Sequence, residues 1–162
     1  MSKIKVLSLA ALFALSLAVN AQPAAQDWEV ILGGNVQAKS DFGTGGFGAT
    51  LSLGYYLNEN MEGVIRQSLN YAGKQATGAT RVGFDYNLIM DKLVPFIGAN
   101  VGFNYGNNRY PETWGFGPEV GLKYYLQSKA FLFGMAEFQM PFEKRTFHDG
   151  NWLFTLGLGV DL

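Results

Sequence analysis

The sequence has no cysteine, which excludes disulfides, thiol catalysis, cysteine-based metal sites and a lipid-modified N-terminal cysteine. Charged residues make up only 15% of the 162 residues, well below the quarter that is usual in globular proteins. The formal net charge is −1, so the basic surface that nucleic-acid binding requires is missing. Aromatic residues, in contrast, reach 15% and there are 21 glycines. This composition argues against a helical bundle and against a disordered chain.

The first 21 residues are typical of a cleaved signal peptide. Lys3 and Lys5 give a positive start, an uncharged apolar run follows over 6–19, and "VNA" at 19–21 offers the small residues that a signal peptidase prefers. The alternative is a membrane anchor, but the apolar run is short for a spanning helix, which needs about 20 residues. We therefore expect residues 1–21 to be removed after export and residues 22–162 to form one domain.

The rest of the chain has a hydrophobic period of two, which predicts β-strands with two different faces. In the last stretch, "NWLFTLGLGVDL", the even positions from Trp152 to Leu162 are apolar, whereas Thr155, Gly157, Gly159 and Asp161 lie on the other face. The same pattern predicts eight strands of roughly the length that a tilted strand needs to cross a bilayer. They are expected at 27–37, 46–57, 61–71, 79–89, 94–105, 114–126, 130–141 and 152–162.

The connections between these strands alternate in length. Short turns are expected at 57–60, 90–92 and 127–129, and longer loops at 38–46, 72–78, 106–113 and 142–151. An even number of hairpin-linked strands with this alternation predicts an all-β fold, an eight-stranded antiparallel up-and-down transmembrane β-barrel. Pro118 falls in the middle of the sixth strand, where a proline removes a ladder hydrogen bond, so a bulge or a local break is expected there.

Three features indicate that the polar face of the strands points inward, the reverse of a soluble barrel. Glycine crowds the polar face, as a narrow interior filled by large side chains would require. Lysine is scarce there, with Lys123 alone in mid-strand. Aromatic residues on the apolar face gather near both strand ends, as at two membrane interfaces. In such a closed barrel the last strand pairs with the first.

The inward face carries charges that an eight-stranded barrel has little room to solvate. A buried charge without its partner costs about 3–5 kcal/mol, so nearly all should be paired. We expect Arg66 to pair with Asp85, and Arg81 to reach across the lumen to Glu119 and Glu137 with help from Lys123. Glu29 and Asp161 also lie on this face. The predicted lumen charge network comprises Glu62, Arg66, Arg81, Asp85, Glu119, Lys123 and Glu137.

The phrases "LSLGYYLNENMEGVIRQSL", "VPFIGANVGFNYG" and "FGPEVGLKYYL" resemble the strand-turn-strand segments of small Gram-negative outer-membrane barrels, in particular the OmpA/OmpX-like eight-stranded β-barrel domain family. The resemblance implies an outer-membrane location, charged side chains that block the bore, and contact with outer-membrane lipid and lipopolysaccharide. It also implies recognition by the barrel-assembly machinery through the C-terminal strand. The chain departs from the family by ending in Leu162 where phenylalanine is common, and because the sequence stops at the barrel we expect no OmpA-type periplasmic domain.

No residue stands out as catalytic, cofactor-binding or metal-binding. His148 beside Asp149 suggests at most a hydrolase acting on lipid A, but no serine has a recognisable motif. The favoured function is a non-enzymatic outer-membrane barrel with a structural or surface-interaction role and a charge-plugged lumen. The alternatives are a narrow gated pore and, less favoured, a lipid A-modifying enzyme. We expect a monomer with no cofactor and no nucleic-acid partner.

Overall fold

The computed structural model describes residues 23–39, 46–72, 75–106, 113–143, 146–147 and 150–162. The predicted signal peptide at 1–21 lies outside the described residues. The described part of the chain contains no helix long and apolar enough to span a membrane. Its strands are β1 (Trp28–Lys39), β2 (Gly46–Tyr56), β3 (Met61–Ala72), β4 (Gln75–Asn87), β5 (Leu93–Gly106), β6 (Thr113–Tyr125), β7 (Ala130–Glu143), β8 (Thr146–Phe147) and β9 (Asn151–Asp161).

The strands form a closed barrel. Each strand from β1 to β7 pairs antiparallel with the next, β7 pairs with β9, and β9 pairs with β1. The ring therefore has eight strands, because the two-residue β8 pairs only with the end of β7. At the seam the Leu162 amide donates to the Trp28 carbonyl at 2.7 Å. The predicted eight-stranded up-and-down barrel is confirmed, including the pairing of the last strand with the first.

One predicted loop is wrong. The segment 72–78, expected to be a long connection, belongs mostly to the strands, since Ala72 pairs with Gln75 and only 73–74 lie between β3 and β4. The small residues and the glycine of this stretch suggested a turn, but the alternation continues through it. Thr77, a β-branched residue that suits a strand, pairs with Asn70 inside the ladder.

The two faces of the strands differ sharply in exposure, which confirms the predicted parity. In β9 the Leu156 side chain is 74% exposed on the outer surface, whereas its neighbour Thr155 is 1% exposed in the interior. Apolar residues at inward positions, such as Phe96 and Phe133, pack together into a small core, and their rings stack at 5.7 Å. The barrel thus has an apolar outer surface and a mainly polar, packed interior.

Glycines on the inward face make room for large side chains from neighbouring strands. A Cβ atom on Gly121 would collide with the Phe96 ring, and one on Gly159 would collide with the Phe131 ring. Similarly, a Cβ on Gly98 would meet the Asp85 carboxylate. The glycine-rich face predicted from the sequence is therefore the space into which aromatic rings and charges fit.

Aromatic residues on the outer surface pair across neighbouring strands near both ends of the barrel. At the end that carries the turns 57–60, 88–92 and 126–129, which we call the short-turn end, Trp28 faces its register partner Tyr55 with ring centroids 4.9 Å apart. Near the opposite end the same arrangement recurs on three pairs of strands. These pairs are Phe47–Tyr71, Phe103–Trp114 and Phe138–Trp152.

Pro118 interrupts the β6–β7 ladder without shifting it. The pairs on either side, Phe116 with Met140 and Glu119 with Glu137, keep one register, but no pairing is formed at Gly117 and Pro118. A bulge would change the register, so the structure contains the local break and not the bulge. The cause is the missing N–H of proline, since Pro118 still pairs with Ala99 of β5.

Replacing Pro118 with valine should stabilise the barrel by about 1 kcal/mol, because the new N–H restores a ladder hydrogen bond toward β7. The side chain points outward, so the added bulk meets no interior group. Urea unfolding in lipid vesicles, followed by tryptophan fluorescence, measures the effect. Ala99→Val adds similar bulk beside this position without adding a donor, and should change little. Equal stabilisation by both variants would contradict the explanation.

Candidate functional site: the charged barrel interior

Like charges face one another across neighbouring strands inside the barrel. The register places Arg66 of β3 opposite Arg81 of β4, Glu62 of β3 opposite Asp85 of β4, and Glu119 of β6 opposite Glu137 of β7. Like charges directly opposite each other destabilise a sheet. Opposite charges on other strands must therefore offset this repulsion, and most of them lie across the lumen.

Arg66 is the cation that holds the middle of the lumen. Its Nη1 donates to both carboxylate oxygens of Glu119, at 2.7 and 2.9 Å, and its Nη2 donates to Asp85 Oδ2 at 2.7 Å. Glu119 is on β6, three places from β3 around the ring. Such a charge-assisted contact to both oxygens is among the stronger hydrogen-bond arrangements available to a side chain. It joins two distant walls of the barrel.

Arg81 makes the second bridge across the lumen. Its Nε lies 3.1 Å from Glu137 Oε1, again three strands away, and its Nη1 donates to Ser68 Oγ at 3.2 Å. The Asn100 amide links the two bridges by donating to Glu119 Oε2 at 2.6 Å and to Glu137 Oε1 at 3.0 Å. We call Arg66, Arg81, Asp85, Glu119 and Glu137 the central cluster.

A second cluster fills the lumen toward the short-turn end. Lys123 Nζ donates to Glu29 Oε2 at 2.5 Å, to Glu62 Oε2 at 2.7 Å and to Tyr56 Oη at 2.7 Å. Tyr56 in turn donates to Glu29 at 3.0 Å. The ammonium group also lies over the Tyr56, Phe96 and Phe131 rings, 5.1–5.7 Å from their centroids. We call Glu29, Tyr56, Glu62, Lys123, Tyr125 and Asp161 the basal cluster, in which Tyr125 donates to Asp161 at 2.7 Å.

The pairing expected from the sequence is present in part. Arg66 contacts Asp85, although four residues off the ladder register, and Arg81 reaches Glu137 as expected. Glu119 is bound by Arg66 rather than by Arg81. The expected help from Lys123 is wrong. Lys123 lies four residues, about 13 Å along a strand, nearer the short-turn end than Glu119, and the acids within its reach are Glu29 and Glu62.

Three neutral residues that bind the charged groups of the two clusters were not identified as their partners from the sequence. Tyr56, Tyr125 and Asn100 are fully or nearly fully buried and hydrogen-bonded to charged groups. Their inward parity was available, because Tyr56 and Tyr125 end their strands on the same face as Gly54 and Lys123. A neutral polar residue or a tyrosine near a strand end, however, carries no charge from which an ionic partner could be predicted. Its hydrogen-bond partners depend on how the strands are staggered around the barrel.

The charged groups of the barrel interior are enclosed. All nine charged side chains of the two clusters are at most 5% exposed. In the described part of the chain no group of three or more His, Asp or Glu side chains is arranged to hold a metal ion. His148 and Asp149 lie outside the described residues, so the hydrolase alternative has no geometry to judge. The ion pairs of the two clusters connect opposite walls of the barrel.

The Arg66→Met variant should lose about 3–5 kcal/mol of unfolding free energy, because Asp85 and Glu119 would be left buried without their cation. Urea unfolding in vesicles, with the heat stability of the folded form on unboiled gels as a second readout, measures the loss. The triple variant with Asp85→Asn and Glu119→Gln should recover most of it, since no unpaired charge remains. A single variant as stable as the wild type would contradict the assignment of Arg66.

No protein-family model matches the sequence, and no curated protein matches it. Solved structures match in fold. The N-terminal β-barrel domain of Pseudomonas aeruginosa OprF superposes with a TM-score of 0.71 at 19% identity, over 86% of this chain and 100% of that one. Neisserial surface protein A gives a TM-score of 0.65 at 14% identity, over 84% and 96%.

Ail, the attachment invasion locus protein of Yersinia pestis, gives a TM-score of 0.58 at 11% identity, over 85% of this chain and 99% of that one. At 11–19% identity these likenesses establish the architecture and nothing finer. The chain has the closed, eight-stranded antiparallel barrel fold found in small outer-membrane proteins.

Proposed function

We propose that this chain is an integral outer-membrane protein, exported with the help of its N-terminal signal. Support comes from the apolar outer surface, the outward aromatic pairs near both ends, and barrel strands of 11–14 residues, long enough to cross a bilayer at a tilt. The fold likeness to known outer-membrane barrels agrees with this location. Outer-membrane lipid and lipopolysaccharide would then surround the apolar belt.

Within the membrane the barrel acts as a closed, non-enzymatic anchor. The observation that carries this function is the pair of charge clusters, which bridge strands three places apart and fill the lumen with buried ion pairs. A closed barrel leaves the connections at its ends as the parts able to meet other molecules, so a surface-interaction role goes with the anchor. A solved neighbour, Ail, is described as an attachment protein, and one of its structures holds a heparin analogue.

Assembly would proceed through the C-terminal strand. β9 closes the ring by pairing with β1, and its outward residues Phe154, Leu156 and Leu158 are apolar, although Leu162 stands where phenylalanine is common in such barrels. The outer surface is apolar all around the ring, as expected for a monomer that contacts lipid on every side.

A narrow gated pore is the second candidate. Arg81 favours it, because this cation is held by one carboxylate and one serine hydroxyl, fewer contacts than Arg66 or Lys123 makes. Movement of the Arg81 side chain would loosen the central cluster on one side. The basal cluster would still close the short-turn end, which favours the anchor over the pore. Modification of lipid A remains a third outcome for the experiment below.

The Leu122→Arg variant tests the lipid-facing belt. Leu122 points outward between the middle of β6 and its short-turn end, inside the apolar belt, where an arginine costs up to roughly 2–4 kcal/mol in a bilayer. Leu126→Arg is a matched control on the same face, just past the end of β6 at the rim, where the cost falls to about 0–1 kcal/mol. Unfolding in lipid vesicles measures both. Equal stability of the two variants would contradict the membrane assignment.

Purified protein in planar bilayers and in vesicles containing lipid A separates the three functions. The anchor predicts no conductance and unchanged lipid A by mass spectrometry, for the wild type and for Arg81→Ala alike. Arg81→Ala should nevertheless lower heat stability, since Glu137 loses its cation. Raised conductance in Arg81→Ala, with Ala99→Val as an outward control, would support the pore. Altered lipid A would support the enzyme.

A further inference from the structure

The basal cluster contains more acids than bases. Glu29, Glu62 and Asp161 are at most 2% exposed, and Lys123 is the only cation bonded to them in the described part of the chain. Lys123 serves Glu29 and Glu62 together. Asp161 has only the Tyr125 hydroxyl as its donor. Three carboxyl groups therefore share one positive charge.

The cluster is enclosed on all sides. Tyr56, Tyr125, Phe96 and Val94 have no exposed surface, and Phe131 has almost none. Glu62 Oε1 and Asp161 Oδ1 are buried, and neither receives a hydrogen bond from the described residues. A pair of bare negative charges in such surroundings would cost several kcal/mol each, and a buried group in this position neutralises instead.

We infer that the basal cluster binds two protons at neutral pH, shared among Glu29, Glu62 and Asp161, and that it releases them when the barrel unfolds. With two protons bound, one carboxylate balances the one ammonium group. The inference rests on the charge count and the enclosure, and it does not depend on the proposed function. The folded barrel then binds more protons than the unfolded chain, and mild acid increases its free energy of unfolding.

The surrounding charges do not supply the missing compensation. β4 contributes Asp85, opposite Glu62, and the chain before β1 contributes Asp27, which acts on Asp161 electrostatically. The other titratable groups near the three acids are Tyr56 from β2, Lys123 and Tyr125 from β6, and Lys129 from the turn before β7, whose carbonyl accepts from the Asp161 amide at 2.9 Å. The Lys129 side chain is partly exposed, and among the described residues it forms no ion pair with these acids. β5 and β7 present apolar residues here, among them Phe96 and Phe131. The two additional carboxyl groups, Asp85 and Asp27, increase the demand for protons.

The sign of the pH effect follows from linkage. The unfolded chain has these carboxyls ionised at neutral pH, so the folded state binds more protons than the unfolded state. Stability is then highest in mild acid and falls as pH rises. For two protons the unfolding equilibrium constant rises by up to about a hundredfold per pH unit over the range in which the folded state keeps both.

Proton uptake during folding tests this directly. The mature protein is diluted from urea into detergent micelles in weakly buffered solution at pH 7, and the protons taken up are counted with a pH indicator. The double variant Glu62→Gln/Asp161→Asn should take up two fewer protons than the wild type, because Glu29 and Lys123 then balance. Glu59→Gln, at an exposed turn position, is the control and should match the wild type.

Two further readouts keep the inference falsifiable if the double variant folds poorly. The infrared spectrum of the folded wild type should contain the C=O band of protonated carboxyl groups, and Asp161→Asn alone should weaken it. Unchanged proton uptake in the double variant, or absence of that band, would overturn the inference. So would stability that depends on the concentration of Na⁺, K⁺ or Mg²⁺ at fixed pH, since a bound cation would then supply the charge.

Discussion

The narrowness of an eight-stranded barrel is the constraint on which the rest of this structure depends. The bore is just wide enough for side chains to fill it, so a charged group on one wall reaches a partner three strands away. This explains how the barrel tolerates Arg66 opposite Arg81 and Glu119 opposite Glu137 in the same ladders. Attraction across the lumen offsets repulsion between neighbours, and the same contacts tie the walls together.

The volumes of side chains inside the barrel are matched between neighbouring strands, as their charges are matched across the lumen. Several large inward side chains lie over an inward glycine on an adjacent strand, as Phe96 does over Gly121 and Phe131 over Gly159. The glycine-rich face of the last strand therefore follows from the rings and charges that occupy the bore. An alanine at Gly159 would displace the Phe131 ring, over which the Lys123 ammonium group lies, so packing and electrostatics in the basal cluster are coupled.

The period of two along the chain is a local property, and for that reason the strands, their faces and the closure of the barrel were predictable from the sequence. The β3–β4 hairpin was not, because small residues and glycine around Thr77 are as common in turns as in an inward strand face. The partners of Lys123 and Glu119 were also missed. Which acids contact which cations depends on the stagger of the strands around the ring, and that stagger cannot be read from the sequence of any single strand.

The two clusters touch, and this decides how the lumen responds to change. Glu62 of the basal cluster is the register partner of Asp85 of the central cluster, so two carboxyls meet where the clusters join. If the Arg66 contact were removed, Asp85 would lie beside Glu62, whose bonded cation is Lys123. The positive charge of Lys123 in the basal cluster would then have to offset Asp85 as well. Groups connected in this way act together rather than additively. A change at one bridge therefore alters the charge balance at the other, so the two clusters respond to substitution as one connected network.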